Sequence, residues 1–147
     1  MLVERMLPAA DKRLVTVGDN APLIDAARLL RDLNVDLLVV CSCDGSLAGV
    51  ITKTDVVRQI SHCQGSACTT AASAVMTRTV ILCRPDDPLR DVWSVMKERG
   101  VQNIPVVNRD SRPIGVLNAR DVLEVLLEEV EYEEVLLRDY VMCVGYR

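Results

Sequence analysis

Apolar positions along the chain follow two spacings in turn, and together they predict alternating strands and helices. Short apolar runs at 14–17 (LVTV), 37–41 (LLVVC) and 49–52 (GVIT) are typical of buried strands. Apolar residues that recur every three or four positions predict helices over about 23–33 and 53–60. The resulting order is strand, helix, strand, strand, helix.

The same succession returns at an offset of 66 residues, so that Gly115 repeats Gly49 and Asp121 repeats Asp55. The second unit predicts a strand at 79–83 (TVILC), a helix at 87–99, strands at 103–107 (NIPVV) and 115–117 (GVL), and a helix from Ala119 to about 138. An internal duplication indicates two similar units. Each unit is too short to bury its own apolar faces well, so we expect the two to pack on each other.

Composition narrows the class of protein. Half of the 147 residues are hydrophobic but only 3% are aromatic, so the core is expected to consist of Val, Leu, Ile and Ala. Acidic and basic residues are interspersed and the net charge is −4, which argues against the basic face of a nucleic-acid-binding domain. No apolar run approaches the roughly 20 residues of a membrane span. Glu4 and Arg5 interrupt the N-terminal apolar stretch, so we expect no secretory signal and a cytoplasmic location.

Six cysteines are present, and in a reducing cytoplasm we expect most of them to be buried thiols. A cysteine-based redox or metal sensor is a lesser alternative, and its candidate residues are Cys41, Cys43, Cys63 and Cys68. Their spacing matches no zinc ligand set, and the chain has a single histidine, His62. No metal site is therefore predicted.

The repeated motif of GVITKTD (49–55) and GVLNARD (115–121) has two interpretations. Thr52 and Asp55 have the spacing of a helix cap in which each side chain bonds the other's backbone. The same helix start also presents free backbone N–H groups to an anion, while a carboxylate beside it can bind sugar hydroxyls. The motif alone favours capping, whereas its duplication in a tandem pair favours sugar binding by Asp55.

The duplicated unit resembles the CBS (cystathionine β-synthase) domain, through GVITKTD, GVLNARD, the stretch IPVVNRDSRPIGV and the stretch VMTRTVILCRPDDPL. The resemblance implies an α+β fold of two β-α-β-β-α repeats with pseudo-twofold symmetry, plus a C-terminal helical extension. The division that it suggests is repeat 1 at 1–62, a linker at 63–74, repeat 2 at 75–128 and the extension at 129–147.

The resemblance also implies two clefts between the repeats, each combining the motif of one repeat with a wall from the other. For the first cleft the implied ligand-binding residues are Thr52, Lys53, Asp55, Thr77, Arg78, Thr79, Val80, Ile104 and Pro105. For the second, weaker cleft they are Lys12, Leu14, Val15, Leu37, Leu38, Asn118, Arg120 and Asp121. Asn118 departs from the Thr or Ser usual in the family; asparagine caps helices equally well, so the fold is expected to survive.

Members of this family commonly bind adenosine-containing ligands. Lys53 and Arg78 are candidates to meet one phosphate in the first cleft, and Arg120 in the second. Gln102 and Asn103 occupy positions where the family often has basic residues, which disfavours a triphosphate. AMP or ADP is therefore expected before ATP, with S-adenosylmethionine as a further possibility.

The chain shows no nucleophile motif and no glycine-rich phosphate loop. We therefore expect a regulatory ligand-binding module rather than an enzyme, with no obligatory cofactor. It would pass a shape change to an unknown effector protein. The family resemblance and the apolar stripes of two helices predict a homodimer through Leu23, Ala26, Ala27, Leu30, Val92, Trp93 and Met96. The alternative is a structural interaction module with empty clefts, in which the acidic tail docks a partner.

Overall fold

The computed structural model describes residues 1–62 and 69–145 of the chain, with side chains as far as residue 141. Its elements are a 3-10 helix (Val3–Met6), α1 (Leu7–Arg13), β1 (Thr16–Gly18), α2 (Leu23–Asp32), β2 (Leu37–Cys41), β3 (Leu47–Thr52), α3 (Lys53–His62), α4 (Ala72–Val75), α5 (Leu89–Arg99), β4 (Asn103–Val107), β5 (Pro113–Asn118) and α6 (Ala119–Gly145). The mixed α+β fold class predicted from the sequence is confirmed.

Two small sheets form the centre of the molecule. In the first, β2 lies between β1, to which it is parallel, and β3, to which it is antiparallel. The second sheet is the antiparallel pair β4–β5. Leu37 lies opposite Thr52 in one sheet, and Asn103 lies opposite Asn118 in the other, so the helix-starting residues occupy equivalent places.

The predicted strand at 79–83 is wrong for most of its length. Only Cys83 pairs, in a single parallel bridge to Val106, while its N–H donates to the Pro105 carbonyl and its carbonyl accepts from Val107. The next bond of such a ladder would need an N–H at residue 105, and proline has none. In the first repeat Val39 takes that place and donates to the Val15 carbonyl, which is why β1 forms.

The segment that leads into each repeat packs on the core of the other repeat. We call these two stretches, 3–13 and 72–77, the leading segments. Val3, Met6 and Ala10 are buried in the core of the second repeat, whereas Ala72 and Met76 are buried in the core of the first. No element was predicted for residues 1–13. The division of the chain into repeats and linker stays a prediction, but packing does not follow its boundaries.

The leading segments explain the glycines of the repeated motif. A Cβ on Gly49 would lie 2.7 Å from the Thr77 carbonyl oxygen, and a Cβ on Gly115 would lie 2.8 Å from Ala10 Cβ. Each glycine therefore leaves room for the leading segment of the other repeat. A third apolar cluster, which includes Val39 and Val116, joins the two sheets.

The predicted apolar dimer stripe is mostly internal, which corrects the sequence-based expectation. Its residues Leu23, Ala26, Leu30, Val92 and Met96 are buried within the chain. Trp93 is half-buried, with Lys97 Nζ 5.9 Å from its ring centroid. The longest run of exposed large apolar side chains lies instead on α6, beyond its last core residue Leu126.

Across residues 1–62 and 69–145, no helix combines the length and apolar character needed to cross a membrane.

Candidate functional site

The start of α3 is closed by a reciprocal cap. The Thr52 N–H donates to Asp55 Oδ2 over 2.9 Å, and the Asp55 N–H donates to Thr52 Oγ1 over 3.3 Å. Because the carboxylate also lies in the first turn, its negative charge interacts favourably with the helix dipole. The helix cap that the motif predicts is therefore formed in the structure.

Capping leaves part of the Asp55 carboxylate available for other contacts. Only 7% of the residue is exposed, and its second oxygen, Oδ1, lies 3.5 Å from Arg58 Nη1. That contact is long for a charge-assisted hydrogen bond, which is normally about 2.7–2.9 Å. A buried carboxylate with one weakly engaged oxygen can accept hydrogen bonds from a ligand.

A cavity of about 300 Å³ opens beside this helix start, and we keep the name first cleft for it. Its lining residues are Leu37, Val50, Thr52, Thr54, Asp55, Arg58, Thr77, Thr79, Val80, Ile81, Val101, Asn103 and Pro105. The lining combines aliphatic side chains with threonines, one carboxylate and one guanidinium. This mixture and size fit the lower end of small-molecule sites.

The structure brings six of the nine predicted first-cleft residues together, namely Thr52, Asp55, Thr77, Thr79, Val80 and Pro105. Lys53 instead pairs with Asp36 over 3.3 Å, and Arg78 donates to the Ser73 carbonyl over 3.3 Å. Ile104 is buried and lines a neighbouring apolar groove.

Arg58 is the most informative lining residue that sequence reasoning missed. It lies one helical turn after Asp55, so the i, i+3 spacing could have placed it on the same face. Leu37, predicted for the second cleft, lines the first as well, because β2 presents it where the two repeats meet. The other missed lining residues are Val50, Thr54, Ile81, Val101 and Asn103.

The start of α6 is built differently. Asn118 Oδ1 accepts from the Arg120 N–H over 3.0 Å, and Asn118 Nδ2 donates to Asn103 Oδ1 over 3.0 Å. Asp121 forms two bonds with Arg13, from Nε to Oδ2 at 2.5 Å and from Nη2 to Oδ1 at 3.1 Å. This pairing raises the pKa of Arg13 above its ordinary value, chiefly through the hydrogen bond.

The second cleft is correspondingly small. A cavity of about 50 Å³ adjoins Arg13, Leu37 and Asn118. The remaining predicted residues do not line it, and these are Lys12, Leu14, Val15, Leu38, Arg120 and Asp121. Leu38 belongs to the buried core of the first repeat, while Lys12 and Arg120 are exposed.

The described cysteines do not form a reactive or metal-binding cluster. Burial, with a smaller effect of Asp87, raises the pKa of Cys83 to about 12, and burial also raises the pKa of Cys41. Within the described part of the chain, no three His, Cys, Asp or Glu side chains are grouped to hold a metal ion. Cys63 and Cys68 lie outside the described residues.

Comparison with known proteins identifies both repeats. The profile of the CBS domain matches residues 6–62 and 72–128. An uncharacterized protein of Methanocaldococcus jannaschii, MJ1426, is 26% identical over 147 residues, covering 79% of this chain and 88% of that protein. Homoserine O-acetyltransferase of Methanohalobium evestigatum is 24% identical over 115 residues, covering 78% of this chain but only 22% of the enzyme. The chain thus spans about a fifth of some curated relatives and most of another.

Solved structures share the fold. The CBS domain pair of protein MJ0100, determined in complex with 5′-methylthioadenosine and S-adenosyl-L-methionine, superposes with a TM-score of 0.72 at 25% identity. The match covers 88% of this chain and 98% of that one. CBSX2, determined in complex with AMP, superposes with a TM-score of 0.75 at 22% identity, covering 86% and 96% of the two chains.

Proposed function

This chain belongs to the CBS-domain family as a tandem pair, and we propose that it is a regulatory module that binds an adenosine-containing ligand in the first cleft. The observation that carries the proposal is the combination of an open cavity with the partly engaged carboxylate of Asp55 at its edge. The MJ0100 domain pair, which was solved with two adenosine-containing ligands, supports the same class of ligand here.

Each part of the cleft fits one part of such a ligand. Leu37, Val80 and Pro105 offer aliphatic surface for the faces of a purine ring. Asp55 Oδ1 can accept hydrogen bonds from the two ribose hydroxyls, and charge-assisted bonds of this kind are the stronger ones. Thr54 and Thr79 supply further hydroxyl groups at the edge of the cavity.

The charges of the cleft favour few phosphates. Among the described residues that line it, Arg58 is the one that carries a positive charge. Lys53 and Arg78, expected to meet phosphate, are engaged with Asp36 and Ser73 instead. We therefore place AMP first, then ADP, with ATP behind them. S-adenosylmethionine needs no phosphate contact and is a further candidate ligand.

Titration calorimetry on the intact chain tests the proposal, with adenosine, AMP, ADP, ATP, S-adenosylmethionine and 5′-methylthioadenosine as ligands. We expect AMP to bind most tightly. Arg58→Gln should weaken AMP binding while leaving adenosine binding unchanged, because only AMP offers a phosphate to the guanidinium. Arg99→Gln, an exposed arginine at the end of α5, is the matched control. No binding of any of these ligands would overturn the proposal.

Regulation, rather than catalysis, is the action we propose. Ligand binding between two repeats changes how they pack only if the ligand binds one arrangement better than another. In this proposal the chain is a cytoplasmic homodimer, is not an enzyme, and biases a separate effector protein.

A second candidate function is a structural interaction module, and one observation favours it. The outer part of α6 leaves large apolar side chains exposed, including Val130, Leu137 and Tyr140. Such a surface is typical of an interface. The calorimetric titration separates the two candidates, because an interaction module with empty clefts would bind none of the adenosine compounds.

A further inference from the structure

The two clefts differ at one equivalent position in a way that changes what each can bind. The repeat offset of 66 residues pairs Arg13 with Thr79. Thr79 is exposed and lines the first cleft, where its short side chain leaves the cavity open. Arg13 borders the second cleft and reaches its aspartate.

Arg13 occupies both oxygens of the Asp121 carboxylate. Its Nε and Nη2 form a fork to Oδ2 and Oδ1, which is the geometry in which guanidinium and carboxylate bind most specifically. In the first cleft, by contrast, the cap holds one oxygen of Asp55 and leaves the other in a 3.5 Å contact. The carboxylate offered to a ligand at one site is therefore taken by a side chain at the other.

The position of Arg13 is fixed by the fold. It is the last residue of α1, whose Ala10 is buried against Gly115 of β5. Because α1 cannot move away from β5 without losing that contact, the backbone of Arg13 is held where its guanidinium reaches Asp121. Asn118 caps α6 through its own amide, so the pair with Arg13 does not compete with a reciprocal cap of the kind seen at α3.

We propose that Arg13 closes the second cleft by taking the place of the ligand on Asp121, so that each chain binds one adenosine-containing ligand rather than two. This inference rests on the proposed function of the first cleft. It agrees with the difference in cavity volume, about 50 Å³ against about 300 Å³. Arg13 is then the residue that sets the number of ligands bound.

Calorimetry with AMP measures that number directly. The wild-type chain should bind one AMP, and Arg13→Thr, which copies the residue of the open cleft, should bind two. The double variant Arg13→Thr/Asn118→Thr also restores the hydroxyl found at the start of α3, and should bind the second AMP more tightly than Arg13→Thr does. Arg5→Thr, in the same N-terminal segment, is the control and should bind one. Thr79→Arg should reduce binding at the first cleft at least tenfold.

The outcomes separate this inference from the proposed function. Two AMP molecules on the wild-type chain would overturn the inference and leave the proposed function standing. One AMP on the wild type, on Arg13→Thr and on the double variant Arg13→Thr/Asn118→Thr would also overturn it. Binding only after the Arg13→Thr change would support the inference and contradict the first-cleft proposal. No AMP on any of the proteins would overturn both.

Discussion

At the scale of single residues, the two aspartates of the repeated motif are not equivalent. Asp55 caps α3 and faces an open cavity, whereas Asp121 is paired with Arg13. The same letter in the same motif therefore has two environments. What differs is the residue that arrives from the other repeat.

We predict that Asp55→Asn weakens AMP binding and that Asp121→Asn does not. A charge-assisted hydrogen bond contributes about 1.5–3 kcal/mol, so the loss at Asp55 is expected to be roughly 10- to 150-fold in dissociation constant. Asparagine keeps the size of the side chain and part of its capping ability. Calorimetry with AMP on both variants is the measurement.

Asp121→Asn is the matched control, because it makes the same chemical change at the equivalent position. Equal losses at the two aspartates would contradict the ranking of the clefts. No loss at either would leave capping as the only role of Asp55.

Cys83 gives a prediction on pH. Burial raises its pKa from 9.0 to about 12, so the folded chain keeps this thiol protonated where the unfolded chain loses the proton. The unfolded state then binds fewer protons, and the free energy of unfolding falls as pH rises from about 9 towards 12, by at most about 1.4 kcal/mol per pH unit from this group. Urea unfolding of the wild type and of Cys83→Ala across this pH range is the measurement. The free energy of unfolding should fall more steeply with pH for the wild type than for Cys83→Ala. Parallel curves would contradict the prediction.

At the scale of elements, the structure depends on close approaches between a strand of one repeat and a leading segment of the other. We predict that Gly115→Ala destabilises the fold by about 1–3 kcal/mol, because the added methyl would overlap Ala10 at 2.8 Å. Urea unfolding measures the change. Combining it with Ala10→Gly removes the shortest contact and leaves those to the residue-10 carbonyl carbon (3.0 Å) and oxygen (3.2 Å). The double variant should therefore lose less than the sum of the two single changes.

Gly49→Ala is the control for that coupling. Its added methyl would meet the Thr77 carbonyl oxygen, which belongs to the backbone. Ala10→Gly should therefore not reduce the cost of Gly49→Ala. Additive effects in both pairs would show that α1 does not pack on Gly115 in solution.

At the scale of the whole molecule, the outer part of α6 carries the longest run of exposed apolar side chains and is the surface we assign to association. Its exposed apolar residues are Leu127, Val130, Tyr132, Val135, Leu136, Leu137, Tyr140 and Val141. Exposed glutamates at 128, 131, 133 and 134 lie on the same helix, so two copies would also repel each other. Apolar contact and charge repulsion therefore oppose each other in the homodimer that we propose.

We predict that the homodimer is held by α6 rather than by Trp93. Leu137→Glu should weaken the dimer at least tenfold, because it places another charge among exposed apolar side chains. Trp93→Ala should leave the dimer intact, since that ring packs on the core of its own chain. Added salt should strengthen association by screening the glutamates. Sedimentation equilibrium at several salt concentrations measures all three, and dissociation caused by Trp93→Ala would contradict the assignment.

The sequence by itself determined the strand–strand–helix order of each motif, the ranges of β2 and β4, and the start of each motif helix. These features follow from local periodicity and from capping residues a few positions apart, which any short stretch of chain carries within itself. The duplication, read as a resemblance, also gave the family and six of the nine lining residues of the first cleft.

The sequence ranked the second cleft as the weaker one, but only the tertiary structure decided which side chain closes it. Arg13 and Asp121 are 108 residues apart, and no local pattern joins them. The same is true of α1 packing on the second repeat and of Leu37 lining the first cleft. Pro105 prevents the predicted strand at 79–83 because it lacks the N–H that this segment would need from β4. That effect exists only because the fold places 79–83 beside β4. Spacing along the chain specifies what each segment can form, whereas contacts between distant segments decide which of its polar groups remain free for a ligand.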